Sequence, residues 1–194
     1  MDKLLASQQD LNISMFDLEN NDDVLVDDGP NALAYFSKKT PLRVTQQTLA
    51  ELKIKMQGLK NRNLRLCLHS SPEAAFHDMI IFERKGKYYR PHKHSDKGET
   101  LYILEGKSGI FAFTDDGKVV DACVLEPGKT LMYKIRPGMY HAIMPITDMV
   151  IYHECKLGPF KKLGDSIYPS WAPDGSDQEE AQRYMDDLLK RLDK

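Results

Sequence analysis

Between Leu64 and Lys156 the chain alternates short apolar stretches with clusters of turn-forming residues. The stretches read LRLCLH, FHDMIIFE, KYYRPHKH, TLYILEG, GIFAFTDD, VVDACVLE, TLMYKIR, HAIMPI and MVIYHECK. Between them stand Lys85-Gly86, Asp96-Lys97-Gly98, Asp115-Asp116-Gly117, Pro127-Gly128 and Pro137-Gly138. Side chains two apart share a face of an extended strand, so runs of this length and texture predict short β-strands. Asp116-Gly117 predicts a tight hairpin, because both residue types tolerate positive φ. Many short strands joined by turns predict an antiparallel sandwich or barrel.

The flanks differ. Thr45 is placed to cap a short helix over TQQTLAELKIKM, with Leu49, Leu52 and Met56 along one side. Near the end, Ser176 and Glu179 have capping-box spacing. Ala181, Tyr184, Met185, Leu188, Leu189 and Leu192 then recur at helical intervals, a packing face for the barrel's outside or for a partner subunit. The first 40 residues are acidic and read as irregular, although NALAYFSKKTP carries apolar side chains that need something to pack on. The chain thus divides into an N-terminal arm (1–40), a short helical segment (41–62), a β-barrel (63–160) and a C-terminal segment with an amphipathic helix (161–194). No internal repeat is visible.

Composition narrows the function. A chain of 194 residues can bury a real core, and its net charge of -2 arises from nearly balanced acids and bases. No basic patch of the kind that binds nucleic acid or anionic lipid is present. No apolar run approaches the ~18 residues of a membrane span. The N-terminal stretch lacks a signal peptide's basic start, apolar middle and cleavage site, so a cytoplasmic location is expected. The three cysteines, Cys67, Cys123 and Cys155, are odd in number and far apart, and are expected to be reduced core thiols.

Residues 90–106, RPHKHSDKGETLYILEG, carry the chemistry. On a strand His92 and His94 share a face, and the turn at Ser95–Gly98 returns Glu99 alongside them. Two imidazoles and a carboxylate converging from neighbouring strands make a facial metal site with open positions. A fourth ligand has to come from elsewhere, and His141, after the Arg136-Pro137-Gly138 turn, is the best candidate. Histidines on strands are commonly solvated or hydrogen-bonded, and six in this chain is unremarkable. The case rests on the whole arrangement of HxH, glutamate, flanking glycines and Pro-Gly-x-x-His.

Gly86-KYYRP-His92-Lys93-His94-SDKG-Glu99-TLYILE-Gly106 resembles the first motif of the cupin superfamily, and Pro137-Gly138-Met139-Tyr140-His141 resembles the second. Arg136 and Pro145 depart from the second motif, where the family often has proline and asparagine. The resemblance implies a mainly β, double-stranded β-helix (jelly-roll) barrel with His92, His94, Glu99 and His141 as metal ligands. LRLCLHSSPEAAFHDMIIF, HECKLGPF and SWAP are similar to cupin metalloproteins of the WbuC type, some encoded among genes for surface-polysaccharide synthesis. This likeness spans roughly residues 42–173.

Other residues could reach such a site. If His92 and His94 point inward, strand alternation turns Arg90 and Tyr88 inward too, and both are candidates for handling a bound ligand. Leu101 and Ile103 are expected inside, with Glu105 in the turn. The last strand offers either His153 and Cys155 or Tyr152 and Glu154, and a one-residue slip reverses the answer. His69 reads as a hydrogen-bonded loop residue, and His77 can face either way. Nothing marks Cys155 as a low-pKa nucleophile. Three imidazoles with one carboxylate suit one divalent transition metal ion, Fe, Mn, Ni or Zn. The expected function is a metal-dependent enzyme acting on a small molecule in the barrel, a carbohydrate or organic acid, by isomerase/epimerase or dioxygenase chemistry. The alternative is a non-catalytic binding or sensing protein whose metal is structural or holds the ligand. A homodimer is expected, because exposed strand edges need cover.

Overall fold

A computed structural model describes residues 17–161 and 164–192. Most of the segment read as lacking a signal peptide lies outside the described residues. Ten strands and two helices follow in the order β1 (Val24–Asp28), β2 (Ala32–Ser37), α1 (Gln46–Gln57), β3 (Asn63–Cys67), β4 (Phe76–Arg84), β5 (Glu99–Glu105), β6 (Ser108–Phe113), β7 (Val119–Leu125), β8 (Met132–Ile135), β9 (Tyr140–Pro145), β10 (Met149–Leu157) and α2 (Gln178–Leu189). The strands form one seven-stranded sheet, ordered β1-β2-β3-β4-β10-β5-β8, and one three-stranded sheet, ordered β7-β6-β9. The fold is mainly β with two sheets, as a jelly-roll expectation requires.

Period-two alternation explains the layers. On β4, Ile80 and Phe82 turn to one side of the large sheet and join Leu64, Leu66 and Ile151 under Leu49, Leu52 and Met56 of α1. Met79 and Ile81 turn to the other side, where they meet Leu101, Ile103, Ile110, Leu125 and Ile135 between the sheets. Each such side chain contributes roughly 1.5–3 kcal/mol when buried. On β3 the pattern has an unusual sense: Leu64 and Leu66 pack under the helix, so Asn63, Arg65 and Cys67 face the space between the sheets.

Two expectations are corrected. Residues 24–37 are not irregular: β1 and β2 form an antiparallel hairpin, and β2 pairs in parallel with β3. A parallel pair needs a crossover, and α1 supplies it. Its cap is the expected one, with Thr45 Oγ1 accepting from Thr48 N at 3.2 Å and Thr48 Oγ1 accepting from Thr45 N at 3.2 Å. Second, α2 is capped one residue later than expected, by Asp177, whose Oδ1 accepts from Glu179 N at 2.9 Å and Glu180 N at 3.0 Å. Ser176 bonds Asp174 instead. The buried stripe of α2, Ala181, Met185 and Leu188, covers the small sheet against Phe111, Phe113, Tyr140, Ala142 and Met144. Among the described residues, no helix is long and apolar enough to cross a membrane.

Candidate metal centre

The segment before the first histidine is not a strand. Residues 87–94 run irregularly, with isolated bridges at His92 and Lys93. The His92 bridge decides the site: His92 N donates to His141 O at 3.0 Å and His141 N donates to His92 O at 2.9 Å. That reciprocal pair fixes the start of β9 beside the HxH turn and brings the two imidazoles to a centroid separation of 4.5 Å. Gly138 N, donating to His94 O at 2.7 Å, ties the Pro-Gly turn to the same segment. Glu99 opens β5, paired with Lys156 of β10 and Ile135 of β8. Gly98 precedes it because a Cβ there would stand 2.7 Å from the Ile135 carbonyl oxygen. Gly106 ends the motif at φ +78, where a Cβ would stand 2.5 Å from Met149 O.

His92, His94, Glu99 and His141 each offer one ligand atom, and these atoms lie within 4.8 Å of one another. His94 Nδ1 donates to the Asp165 carbonyl, and His141 Nδ1 donates to the Met139 carbonyl at 3.0 Å. Those bonds leave both Nε2 atoms as lone pairs. Both are buried without a hydrogen-bond partner, yet they face Glu99 oxygens at 2.6 Å (His94) and 3.3 Å (His141). Acceptors held so close repel unless a cation lies among them, so the donor set fits a metal ion. Metal-ligating histidines typically anchor the other ring nitrogen in this way.

The charges agree. Burial alone would raise the Glu99 carboxyl. Positive charge at the facing edges of His141 and His94, together with the Lys156 ammonium, holds it well below the usual carboxylate range, and a metal ion would supply that charge in place of ring protons. Burial, reinforced by His141, pulls His92 down to about 3, so its imidazole is neutral and able to ligate.

Some neighbours lie where sequence alone did not put them. Lys156 Nζ stands 2.9 Å from Glu99 Oε1 and 3.0 Å from Glu154 Oε1. Asp165, from the segment after β10, pairs with Lys97 beside His94. Lys156 continues the alternation of Tyr152 and Glu154, a signal legible only once the strand's register is known. That register turns Tyr152 and Glu154 inward and pairs His153 with Asp78. Cys155 is half-buried, and Leu101 and Ile103 are core residues as expected. Glu105 ends β5 and pairs with Lys53 of α1 at 2.5 Å. His69 and His77 stack on each other with centroids 4.4 Å apart; His69 Nδ1 bonds the Asp78 main chain, and His77 Nε2 lies 3.0 Å from Pro72 O.

Arg90 and Tyr88 do not follow strand alternation, since no strand carries them. The Tyr88 hydroxyl donates to Pro173 O at 2.8 Å, and its ring meets Tyr184 of α2 edge-on. The Arg90 guanidinium bonds Pro169 O and stands 5.6 Å over the Tyr168 ring, which is itself 6.2 Å from His92. Both residues line a cavity of about 1290 Å³ that opens onto the four-residue cluster.

Residues 44–125 match the model of a family described as a domain of unknown function (DUF6016). No match was found among curated proteins. Among solved structures, the capsular polysaccharide assembling protein CapF from Staphylococcus aureus is similar at 16% identity and a TM-score of 0.47, over 54% of this chain and 31% of that one. The oxalate decarboxylase of Bacillus subtilis, with Mn(II) centres, is similar at 17% identity and a TM-score of 0.40, over 48% of this chain and 24% of that one. A Shewanella oneidensis protein is similar at 12% identity and a TM-score of 0.44, over 60% of this chain and 75% of that one. The match to CapF therefore takes in less than a third of that protein's length.

Proposed function

We propose that the protein holds one divalent transition metal ion, Fe, Mn, Ni or Zn, through His92, His94, Glu99 and His141, and acts as a metal-dependent enzyme on a small molecule admitted by the adjoining cavity. The observation that carries the reading is the pair of buried, unpartnered Nε2 atoms aimed at the Glu99 carboxylate. Bound there, the metal would supply Lewis acidity toward a carbonyl or hydroxyl oxygen of the ligand. The chain's own groups do the rest. The Asp165 and Met139 carbonyls orient two imidazoles, Lys156 holds the Glu99 carboxylate, and Arg90 and Tyr168 shape the wall beside His92. Isomerase or epimerase chemistry on a carbohydrate and dioxygenase chemistry on an organic acid are both within reach of this donor set. The motif resemblance to cupin metalloproteins of the WbuC type favours the first.

The test is reconstitution. Chelated protein should gain thermal stability on addition of Fe(II), Mn(II), Ni(II) or Zn(II), and His141→Ala should abolish the gain. Metal-independent melting of the wild type would overturn the reading. With the fold retained, loss of turnover in Glu99→Gln marks an enzyme, whereas loss of melting temperature alone marks a structural metal. The reading includes a homodimer, supported by apolar edges at β1 (Leu25, Val26) and β8 (Met132), and a cytoplasmic location, supported by the free thiols Cys67, Cys123 and Cys155. Light scattering on the purified protein tests the dimer: a monomer mass at micromolar concentration contradicts it.

A further inference from the structure

Beyond the metal cluster, the cavity continues across the inner face of the large sheet, and strand register fixes what it meets. Along β10, Lys156 stands opposite Glu99 and His77, Glu154 opposite Leu101 and Met79, and Tyr152 opposite Ile103 and Ile81. Arg65 of β3 stands opposite Ile81 on the other side of β4. Asn63 and Glu83 follow two residues along their strands, on the same face. Glu99 and Arg65 therefore mark opposite corners of this face, four residues apart along the strands, about 13 Å at ~3.3 Å per residue, and three strands apart across the sheet, about 14 Å at ~4.8 Å per strand.

The far end is built and incomplete. Glu83 is 4% exposed, and Arg65 is enclosed by protein, its residual surface facing the cavity. Asn63 Nδ2 donates to Glu83 Oε1 at 3.1 Å, and the Tyr89 hydroxyl donates to Asn63 Oδ1 at 2.6 Å. Glu83 Oε2 and Arg65 Nε are buried with no hydrogen-bond partner. Buried groups left in this state are unfavourable, so Glu83 Oε2 offers an acceptor and the Arg65 guanidinium offers N–H donors to whatever fills the cavity.

A hydroxyl gives one hydrogen bond and takes two, and so meets both groups at once. An ionised carboxylate only accepts, so Glu83 could meet it only while carrying its own proton, whereas a hydroxyl serves either form of Glu83. The local charges point the same way: Arg65 is countered by Glu83 and Glu154, and Lys156 by Glu154 and Glu99. This end therefore lacks the uncompensated positive charge that an anion would seek. We propose that Asn63, Arg65 and Glu83 form a hydroxyl-recognition subsite, so that the molecule presented to the metal centre is polyhydroxylated, a carbohydrate or carbohydrate derivative, and not a simple organic acid. The inference rests on the cavity being the ligand site of that centre. Burial raises the Glu83 carboxyl to about 7, against the pull of Arg65 and Tyr152, so near neutral pH it exchanges between accepting and donating.

Calorimetry and saturation-transfer NMR on the full chain, metal-loaded and chelated, test the subsite. The probes are D-glucose, D-galactose and D-mannose, their 6-phosphates, and succinate as a control without hydroxyls. At least one sugar probe should bind, at least tenfold more tightly than succinate. Glu83→Gln and Arg65→Lys should each weaken it at least tenfold with metal content unchanged. If the phosphates alone bind, the ligand carries an anionic group as well as hydroxyls. If either variant unfolds, Tyr89→Phe, which releases Asn63, should weaken the same probe several-fold. Sugar binding that survives chelation and is lost in Glu83→Gln supports the subsite even if the metal reading fails. Stoichiometric metal with no sugar binding, sugar binding unchanged in the variants, or succinate binding as tightly and with the same sensitivity would each overturn the subsite and leave the metal centre standing. So would ordered water alone at Glu83 in a sugar-soaked crystal.

Discussion

At the scale of single residues, the candidate centre depends on where ring nitrogens are spent. His92, His94 and Glu99 were legible in the sequence because side chains two apart share a face, and a short turn returns the chain. Lys156 and Asp165 were not, because each arrives from a distant segment whose position depends on sheet register or loop path. Lys156 bridges two carboxylates, and removing it takes from both nearly buried groups their shared ammonium partner. Lys156→Met should cost about 3–5 kcal/mol in urea unfolding; a loss below about 1 kcal/mol would show the pair to be solvated. Glu83 gives a second prediction. Its folded pKa, about 7, lies above the ordinary 4.5, so the folded chain binds the extra proton between those values. The group's favourable contribution is present below about pH 4.5 and is lost as pH rises through 7. Glu83→Gln should therefore match the wild type at acid pH and be more stable by on the order of 1–3 kcal/mol at pH 8. A difference independent of pH would contradict the burial argument.

At the scale of elements, most strands were visible as period-two runs, while a strand's partner is set by contacts that the local pattern does not encode. β2 pairs in parallel with β3 only because α1 carries the chain across, so NALAYFSKKTP showed a need for burial without showing where. KYYRPHKH looked like a strand yet has no continuous ladder. Tyr88 and Arg90 turn to the C-terminal segment, and the bridge to His141 does the positioning that a strand would have done. The α2 cap gives a direct test. Asp177→Ala should lower stability by about 1 kcal/mol, and Ser176→Ala by much less; the reverse order would restore the cap at Ser176. Leu188, 4% exposed against the small sheet, should cost about 2–4 kcal/mol on truncation to alanine.

At the scale of the molecule, the apolar faces of the large sheet are covered by α1 on one side and the small sheet on the other. One stretch of the inner face is left polar. Asn63, Arg65, Glu83, Glu154 and Lys156 stand where a stability-driven core would place aliphatic side chains, and they share their cavity with the four candidate ligands. Nine lysines and arginines against six carboxylates line that cavity, although the whole chain carries a net -2. The Arg65 and Lys156 charges are compensated inside, so the excess at the more exposed residues, Lys60 and Lys85 among them, would steer an anionic group such as a sugar phosphate to the mouth. The metal-dependent activity proposed for this cavity depends on a cation among His92, His94, Glu99 and His141. Elemental analysis of protein purified without chelators measures it directly. One Fe, Mn, Ni or Zn per chain is expected, lost in His141→Ala. Metal far below one per chain, even after incubation with each of the four ions, would contradict it.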